Sequence, residues 1–173
     1  MKTQSATPVM KQFWEAKKAH PNSIMLFRMG DFYETFEDDA IQTSEILGIT
    51  LTKRANGAAA KVPLAGFPYH ALDQYLYKLL KAGHRVAICE QVEDPKLAKG
   101  IVKREVMEVF SPGTALSDKY LDQKENNYLC AVTLDKRKCG IAILDYSTGE
   151  FYTCSRDHED LLTLLKQFYV SEV

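Results

Sequence analysis

The sequence predicts a mixed α/β domain with flanking helices, followed after a polar linker by the beginning of a second sheet. Three observations carry this. Strand-like and helix-like patterns alternate from Thr7 to Phe110, which is the mark of an α/β layer. Composition then shifts, with Lys, Asp, Gln, Glu and Asn dominating Ser117 to Asn127, as in a linker. Three strand-like runs joined by tight polar turns come next, and one amphipathic helix closes the chain. The domain expectation is therefore 1–116, a linker at 117–126, and a second unit over 127–173. Three strands and one helix bury little, so the second unit reads as part of a larger domain.

Each element has a local reason. Thr7-Pro8 combines an N-cap residue with a proline at the first helical position. Met10, Phe13, Trp14 and Lys17 keep helical spacing until His20-Pro21-Asn22 stops it. Ile24 to Met29 reads as a buried strand, Gly30-Asp31 as a turn, and Phe32 to Phe36 as a short return strand. Asp38 is a candidate cap for a helix to about Leu47, ended by Gly48. Ile49 to Arg54 alternates like a strand, Ala55 to Lys61 looks like a flexible loop, and Leu64 to Phe67 is a short extended piece closed by Pro68. From His70 to Lys81, Leu72, Tyr75, Leu76, Leu79 and Leu80 form one apolar stripe, with Gly83 as the stop. Strands follow at Arg85 to Glu90 and Lys103 to Phe110, then at Tyr128 to Leu134, Cys139 to Tyr146 and Glu150 to Cys154. Leu161, Leu164, Leu165 and Phe168 mark the last helix.

Composition excludes several classes. Of the 173 residues, 46% are hydrophobic, enough for a packed core and too many for disorder. The apolar runs are far short of a membrane span, and no apolar segment follows Met1-Lys2-Thr3-Gln4-Ser5 as a secretory signal would require. A cytoplasmic protein is the resulting expectation. Cys89, Cys130, Cys139 and Cys154 form no C-x-x-C pair, and His20, His70, His84 and His158 are scattered, so buried thiols are expected and no metal site. A net charge of −1 counts against a simple electrostatic nucleic-acid binder, which is usually strongly basic.

Met29-Gly30-Asp31-Phe32-Tyr33-Glu34 is the stretch with chemical content. On an extended return strand Phe32 and Glu34 point to the same side. An apolar ring beside an acidic acceptor is an odd pair for a core. It suits a probe that stacks on a base and accepts a hydrogen bond from it, and minor-groove proteins insert such phenylalanine wedges. Spacing alone favours Phe32 in the core and Glu34 in solvent. Lys96, Lys99, Lys103 and Arg104 form a basic stretch, read as a solvated face before a phosphate track.

The segment Leu26-Phe27-Arg28-Met29-Gly30-Asp31-Phe32-Tyr33-Glu34 resembles the mismatch-recognition motif of the MutS family of DNA repair proteins. Thr7-Pro8-Val9-Met10, Leu51-Thr52-Lys53-Arg54, Pro63-Leu64-Ala65-Gly66-Phe67-Pro68-Tyr69-His70-Ala71, Val86-Ala87-Ile88-Cys89-Glu90-Gln91 and Val109-Phe110-Ser111-Pro112-Gly113-Thr114 fit the same family in order. The likeness is dense from Met1 to about Leu116 and looser from Asn126 to Val173, which is similar to the beginning of the family's RNase H-like connector domain. It implies that Phe32 stacks on a mispaired base, that Glu34 hydrogen-bonds it, and that Lys53 and Arg54 touch the DNA backbone. Met29 and Asp31 flank the probe, and Lys61 and His70 are further candidates. His70 is equally well read as a turn residue at a helix start. The resemblance also implies a MutL-type repair partner for the connector, and a full-length homodimer that binds ATP and Mg²⁺. These 173 residues contain no G-x-x-x-x-G-K-S/T segment, so they are expected to hold neither cofactor, to be no enzyme, and to be monomeric by themselves.

Two rivals stand beside this. Asp135, Asp145 and Glu150 fall on the strand run that resembles an RNase H-like sheet, where clustered carboxylates hold Mg²⁺ for a nuclease. Asp is also favoured at turn edges for its own sake. The other rival is a pure protein-interaction module.

Overall fold

The computed structural model describes residues 7–56, 59–94, 98, 100–114 and 126–173. The chain forms two compact units, Met1–Phe110 and Ser111–Val173. The first is built as α1 (Pro8–Ala19), β1 (Ser23–Met29), β2 (Phe32–Phe36), α2 (Glu37–Leu47), β3 (Thr52–Asn56), β4 (Ala59–Pro68), α3 (Leu72–Lys81), β5 (Arg85–Gln91) and β6 (Arg104–Phe110). Its six-stranded sheet runs β3-β4-β2-β1-β5-β6. Only β1 and β5 pair in parallel; the other neighbours are antiparallel. The sheet is thus mixed, as the alternating strand and helix patterns predict.

Side chains alternate across the strands and so create two cores. On one face Met10 and Phe13 of α1 meet Met25, Phe27, Phe36, Ala87 and Cys89. Phe13, Phe27 and Phe36 pack edge-on with centroids 5.0 to 6.3 Å apart, the geometry that aromatic quadrupoles favour. Leu76, Leu79 and Leu80 of α3 are buried on the other face, where Tyr75 stacks 4.6 Å from Phe67. Asp39 of α2 is buried but satisfied: it accepts from the Met25 amide at 3.0 Å and pairs with Lys17 at 2.7 Å. This meets the requirement that an interior charge be partnered.

Several local expectations are corrected. Asp38 does not cap α2, which starts at Glu37 with no side-chain cap; Asp38 lies in the first turn, where a negative charge still favours the helix dipole. Ile49 to Leu51 precede β3, which begins at Thr52. The expected loop at Ala55 to Lys61 is mostly strand, since Ala55 and Asn56 continue β3 and Ala59 opens β4. Backbone pairing from Thr52–Leu64 to Asn56–Ala59 overrides the weak β-propensity of alanine. Within that segment Gly57 and Ala58 lie outside the described residues.

The second unit holds β7 (Tyr128–Leu134), β8 (Lys138–Asp145) and β9 (Glu150–Asp157) in a three-stranded antiparallel sheet, followed by α4 (Leu161–Gln167). Cys130, Cys139, Ile141 and Ile143 form its core, against which Leu164, Leu165 and Phe168 pack. Cys89, Cys130 and Cys139 are buried free thiols and Cys154 is half-buried.

Candidate nucleic-acid interface

The turn between β1 and β2 builds the site. Gly30 has φ of +59°, a conformation that costs glycine nothing and strains other residues. The turn leaves Met29 facing Phe32 and Phe27 facing Glu34 across the hairpin. Phe32, Glu34 and Phe36 therefore share the α1 face of the sheet. Phe36 is fully buried, while the Phe32 ring at the strand's open end is 47% exposed. That exposure rules out the alternative in which Phe32 is core.

The turn is held from both faces. Gln91 Oε1 accepts from the Gly30 amide at 3.0 Å, and the Tyr69 amide donates to the Asp31 carbonyl at 2.9 Å. Arg28 Nε donates to the Gly30 carbonyl, and its guanidinium lies 4.0 Å from the Tyr69 ring centroid and 5.5 Å from that of Tyr33. Tyr33 hydrogen-bonds Glu90, and burial together with that carboxylate pushes its phenol well above the usual range. Beneath the α1 face, Arg104 donates through Nε to the Arg28 carbonyl at 2.6 Å and through Nη1 to the Val102 carbonyl at 2.7 Å. Its guanidinium sits 5.2 Å from the Phe27 ring centroid. These contacts fix the backbone that carries the exposed ring.

Glu34 is half-buried and ion-paired: Arg54 Nη1 lies 2.6 Å from Oε2. Burial raises its proton affinity above the ordinary carboxylate range, with Arg54 and Arg104 pulling the other way. Opposite Glu34 on β4 stands Gly66. A Cβ there would come within 2.9 Å of the Tyr33 carbonyl oxygen and 3.4 Å of Glu34 Cγ. Gly66 thus permits the close approach of β4 to the Tyr33 backbone beside Glu34.

Comparison with known proteins decides the family. Residues 7–119 match the family model of MutS domain I, and residues 127–173 match that of MutS domain II. The chain belongs to the MutS family. It is 59% identical over 167 residues to the DNA mismatch repair protein MutS of Phocaeicola vulgatus, covering 96% of this chain and 19% of that protein. To the same protein of Bacteroides thetaiotaomicron it is 55% identical over 165 residues, covering 95% and 19%. To that of Flavobacterium johnsoniae it is 52% identical over 172 residues, covering 99% and 20%. The chain spans about a fifth of the length of these curated relatives.

Of the residues singled out by the MutS motif, Met29, Asp31, Phe32 and Glu34 lie on one hairpin, and Arg54 reaches it from β3. Met29 is half-buried against the α1-side core, and Asp31 sits exposed at the tip. His70 lies in a short 3₁₀ turn, Tyr69–Ala71, that follows the Phe32 partner Pro68 and precedes α3. It is exposed. Lys53 and Lys61 are exposed along the β3–β4 hairpin. Lys53 pairs with Pro63, five residues from Pro68, which is roughly 17 Å of strand. Lys61 is about 23 Å from Pro68 by the same spacing. These two lysines are remote from the turn between β1 and β2 along the sheet.

The basic stretch does not behave as one solvated face. Lys103 is exposed and pairs with Glu105, but Arg104 turns inward beneath the hairpin; Lys96 and Lys99 lie outside the described residues. Arg104, Gln91, Arg28, Glu90 and Gly66 are the supporting residues that pattern reasoning missed. Only the strand alternation that puts Arg104 opposite Gln91 could have pointed to one of them.

The nuclease carboxylates are not a cluster. Asp145 is fully buried and closes the β8–β9 turn, accepting from the Ser147 amide, the Ser147 hydroxyl and the Thr148 amide on one oxygen and from the Asn127 amide on the other. Burial alone would raise its carboxyl, yet these bonds together hold it below the ordinary range. Glu150 accepts from Tyr128, Asn126 and Tyr152. Asp135 lies at the opposite end of β7, bonded to the Lys136 amide. Among the described residues no group of three or more His, Cys, Asp or Glu could hold a metal ion.

Proposed function

We propose that this chain recognises mispaired or unpaired bases in duplex DNA through the β1–β2 turn. Phe32 is the minor-groove wedge that stacks on the base, and Glu34 accepts a hydrogen bond from it. The observation that carries this reading is the half-exposed Phe32 ring on a turn immobilised from both faces, with Glu34 beside it on the same face. A ring left 47% exposed buries only part of its apolar area in the fold. Inserted between base pairs it kinks the duplex, and that deformation is cheapest where pairing is already defective. Glu34 supplies the discrimination. A carboxylate near phosphates repels ordinary duplex, and its desolvation is compensated only where a base offers a donor.

The test uses the full-length protein with paired and G·T-mismatched duplexes at one fixed salt concentration. Phe32→Ala should lower mismatch affinity about 5- to 150-fold, the range spanned by base–aromatic stacking, with an unchanged unfolding midpoint because the ring is not core. Glu34→Ala should raise affinity for paired DNA while reducing the preference for the mismatch. Equal loss of both affinities on Glu34→Ala would mean that Glu34 supports general binding, and the discriminator role would be wrong.

The rest of the reading concerns the whole protein. Lys53, Lys61 and His70 contact the flanking backbone, and most phosphate contacts come from elsewhere, in keeping with the net charge of −1. ATP and Mg²⁺ bind outside these 173 residues, which have no phosphate-cradling G-x-x-x-x-G-K-S/T segment. These residues act as a recognition module and perform no catalysis. Residues 126–173 receive a MutL-type partner, the full-length protein is a homodimer in the cytoplasm, and the two units alone are monomeric. Sedimentation of the 173-residue chain checks the last point. No described helix is long and apolar enough to cross a membrane.

A further inference from the structure

We propose that Arg54 is a positioning residue for Glu34: by holding one carboxylate oxygen it fixes the other as the acceptor presented to the base. This rests on the probe reading of Phe32 and Glu34 above.

Arg54 Nη1 donates to Glu34 Oε2 at 2.6 Å, and no hydrogen bond to Oε1 occurs among the described residues. The pair is not a loose surface contact. The Arg54 and Glu34 side chains are 32% and 21% exposed, so their attraction is screened far less than that of a solvent-exposed pair. Both ends are confined. The Arg54 guanidinium lies 5.9 Å from the buried Phe36 ring centroid, and Glu34 pairs across β2–β4 with Gly66 on the same sheet. Arg54 stands on edge strand β3 and Glu34 on β2, with β4 between them, so the bond spans a whole strand and ties the probe to the sheet's edge. A half-buried carboxylate without such a partner would take up a proton more readily and sample several rotamers, losing a fixed acceptor. The bond to Glu34 uses one of the guanidinium's five N–H donors, so the positioning role and a plain backbone contact are told apart by measurement.

The two roles give opposite signatures in the full-length protein. If Arg54 positions Glu34, Arg54→Gln should lower the ratio of G·T to paired affinity about tenfold. The slope of log affinity against log salt should stay unchanged. In a Glu34→Ala background the same substitution should leave the ratio unaltered, because its target is gone. Arg54→Lys, which keeps the charge but not the planar fork, should give an intermediate ratio; it also carries the test if Arg54→Gln lowers the unfolding midpoint. Equal loss on both duplexes, with the salt slope reduced by about one in either Glu34 background, would make Arg54 a phosphate ligand and overturn the proposal. An unchanged ratio on Arg54→Gln, alongside a mismatch preference abolished by Phe32→Ala, overturns the Arg54 assignment and leaves the probe reading standing. A preference left unchanged by Phe32→Ala overturns the reading on which both rest.

Discussion

Replacing Gly66 by alanine tests how closely the sheet is fitted around the probe. The new methyl group would lie 2.9 Å from the Tyr33 carbonyl oxygen and 3.4 Å from Glu34 Cγ. The first contact is with backbone inside the β2–β4 ladder, where Tyr33 pairs with Phe67 and Glu34 with Gly66, so it is relieved only by moving a paired strand. Such overpacking costs about 1–3 kcal/mol. Loss of glycine's freedom in the unfolded chain offsets about 0.4–1 kcal/mol of that. The difference centres on about 1 kcal/mol, which lowers the unfolding midpoint by about 4–8 °C for a unit of this size. Gly140→Ala is the internal control. Its methyl would meet Thr133 Cγ2 at 2.7 Å, a shorter distance but against the tip of an exposed side chain that can rotate away. Thermal unfolding by circular dichroism, with hydrogen exchange at the β2 and β4 amides, reads both. The reasoning is refuted if Gly66→Ala melts within about 1 °C of the parent, or if Gly140→Ala is the more damaging change.

Two further outcomes follow from the supporting residues. Arg104→Gln removes the charged donor to the Arg28 and Val102 carbonyls, and the Gly30 and Tyr69 amides should exchange about tenfold faster while the rest of the sheet is protected as before. Uniform loss of protection would instead make Arg104 a general core residue. Asp145→Asn should destabilise the β8–β9 turn by about 2 kcal/mol at neutral pH, the scale of hydrogen bonds to a charged acceptor. Because the folded carboxyl lies below its ordinary value, the contribution of the ionised form is full above about pH 4 and is lost as pH falls through the lower folded value. The stability gap between the parent and the Asp145→Asn variant should therefore close below about pH 4, followed by exchange of the Ser147 and Thr148 amides; a gap independent of pH would exclude the ionised carboxylate as its source.

Much of this protein is legible in the sequence because local chemistry and periodicity agree. The Thr7-Pro8 start, the apolar stripe from Leu72 to Leu80, and the Gly30-Asp31 turn each act over a few residues, so pattern alone places them. The turn and the alternation after it also put Phe32 and Glu34 on one side. The motif resemblance supplied what spacing could not, a reason to prefer a probe over a core phenylalanine.

What the sequence left open depends on neighbours distant in the chain. Nothing local tells that Asn56 pairs with Ala59, because alanine has no strand preference and the register is set by the pairing that begins at Thr52 and Leu64. Arg104 reads as one more basic residue until β6 pairs with β5 and brings it under Arg28, 76 residues earlier. Asp145 looks like a metal ligand or a turn residue until one oxygen is seen filled by the turn itself and the other by the Asn127 amide. The Glu34–Arg54 pair exists only because β4 lies between their strands and carries a glycine where any side chain would collide. Local pattern reports what a residue prefers. The partner of a long charged side chain is set by strand order and by the room a neighbour leaves, and both are settled only when the sheet assembles.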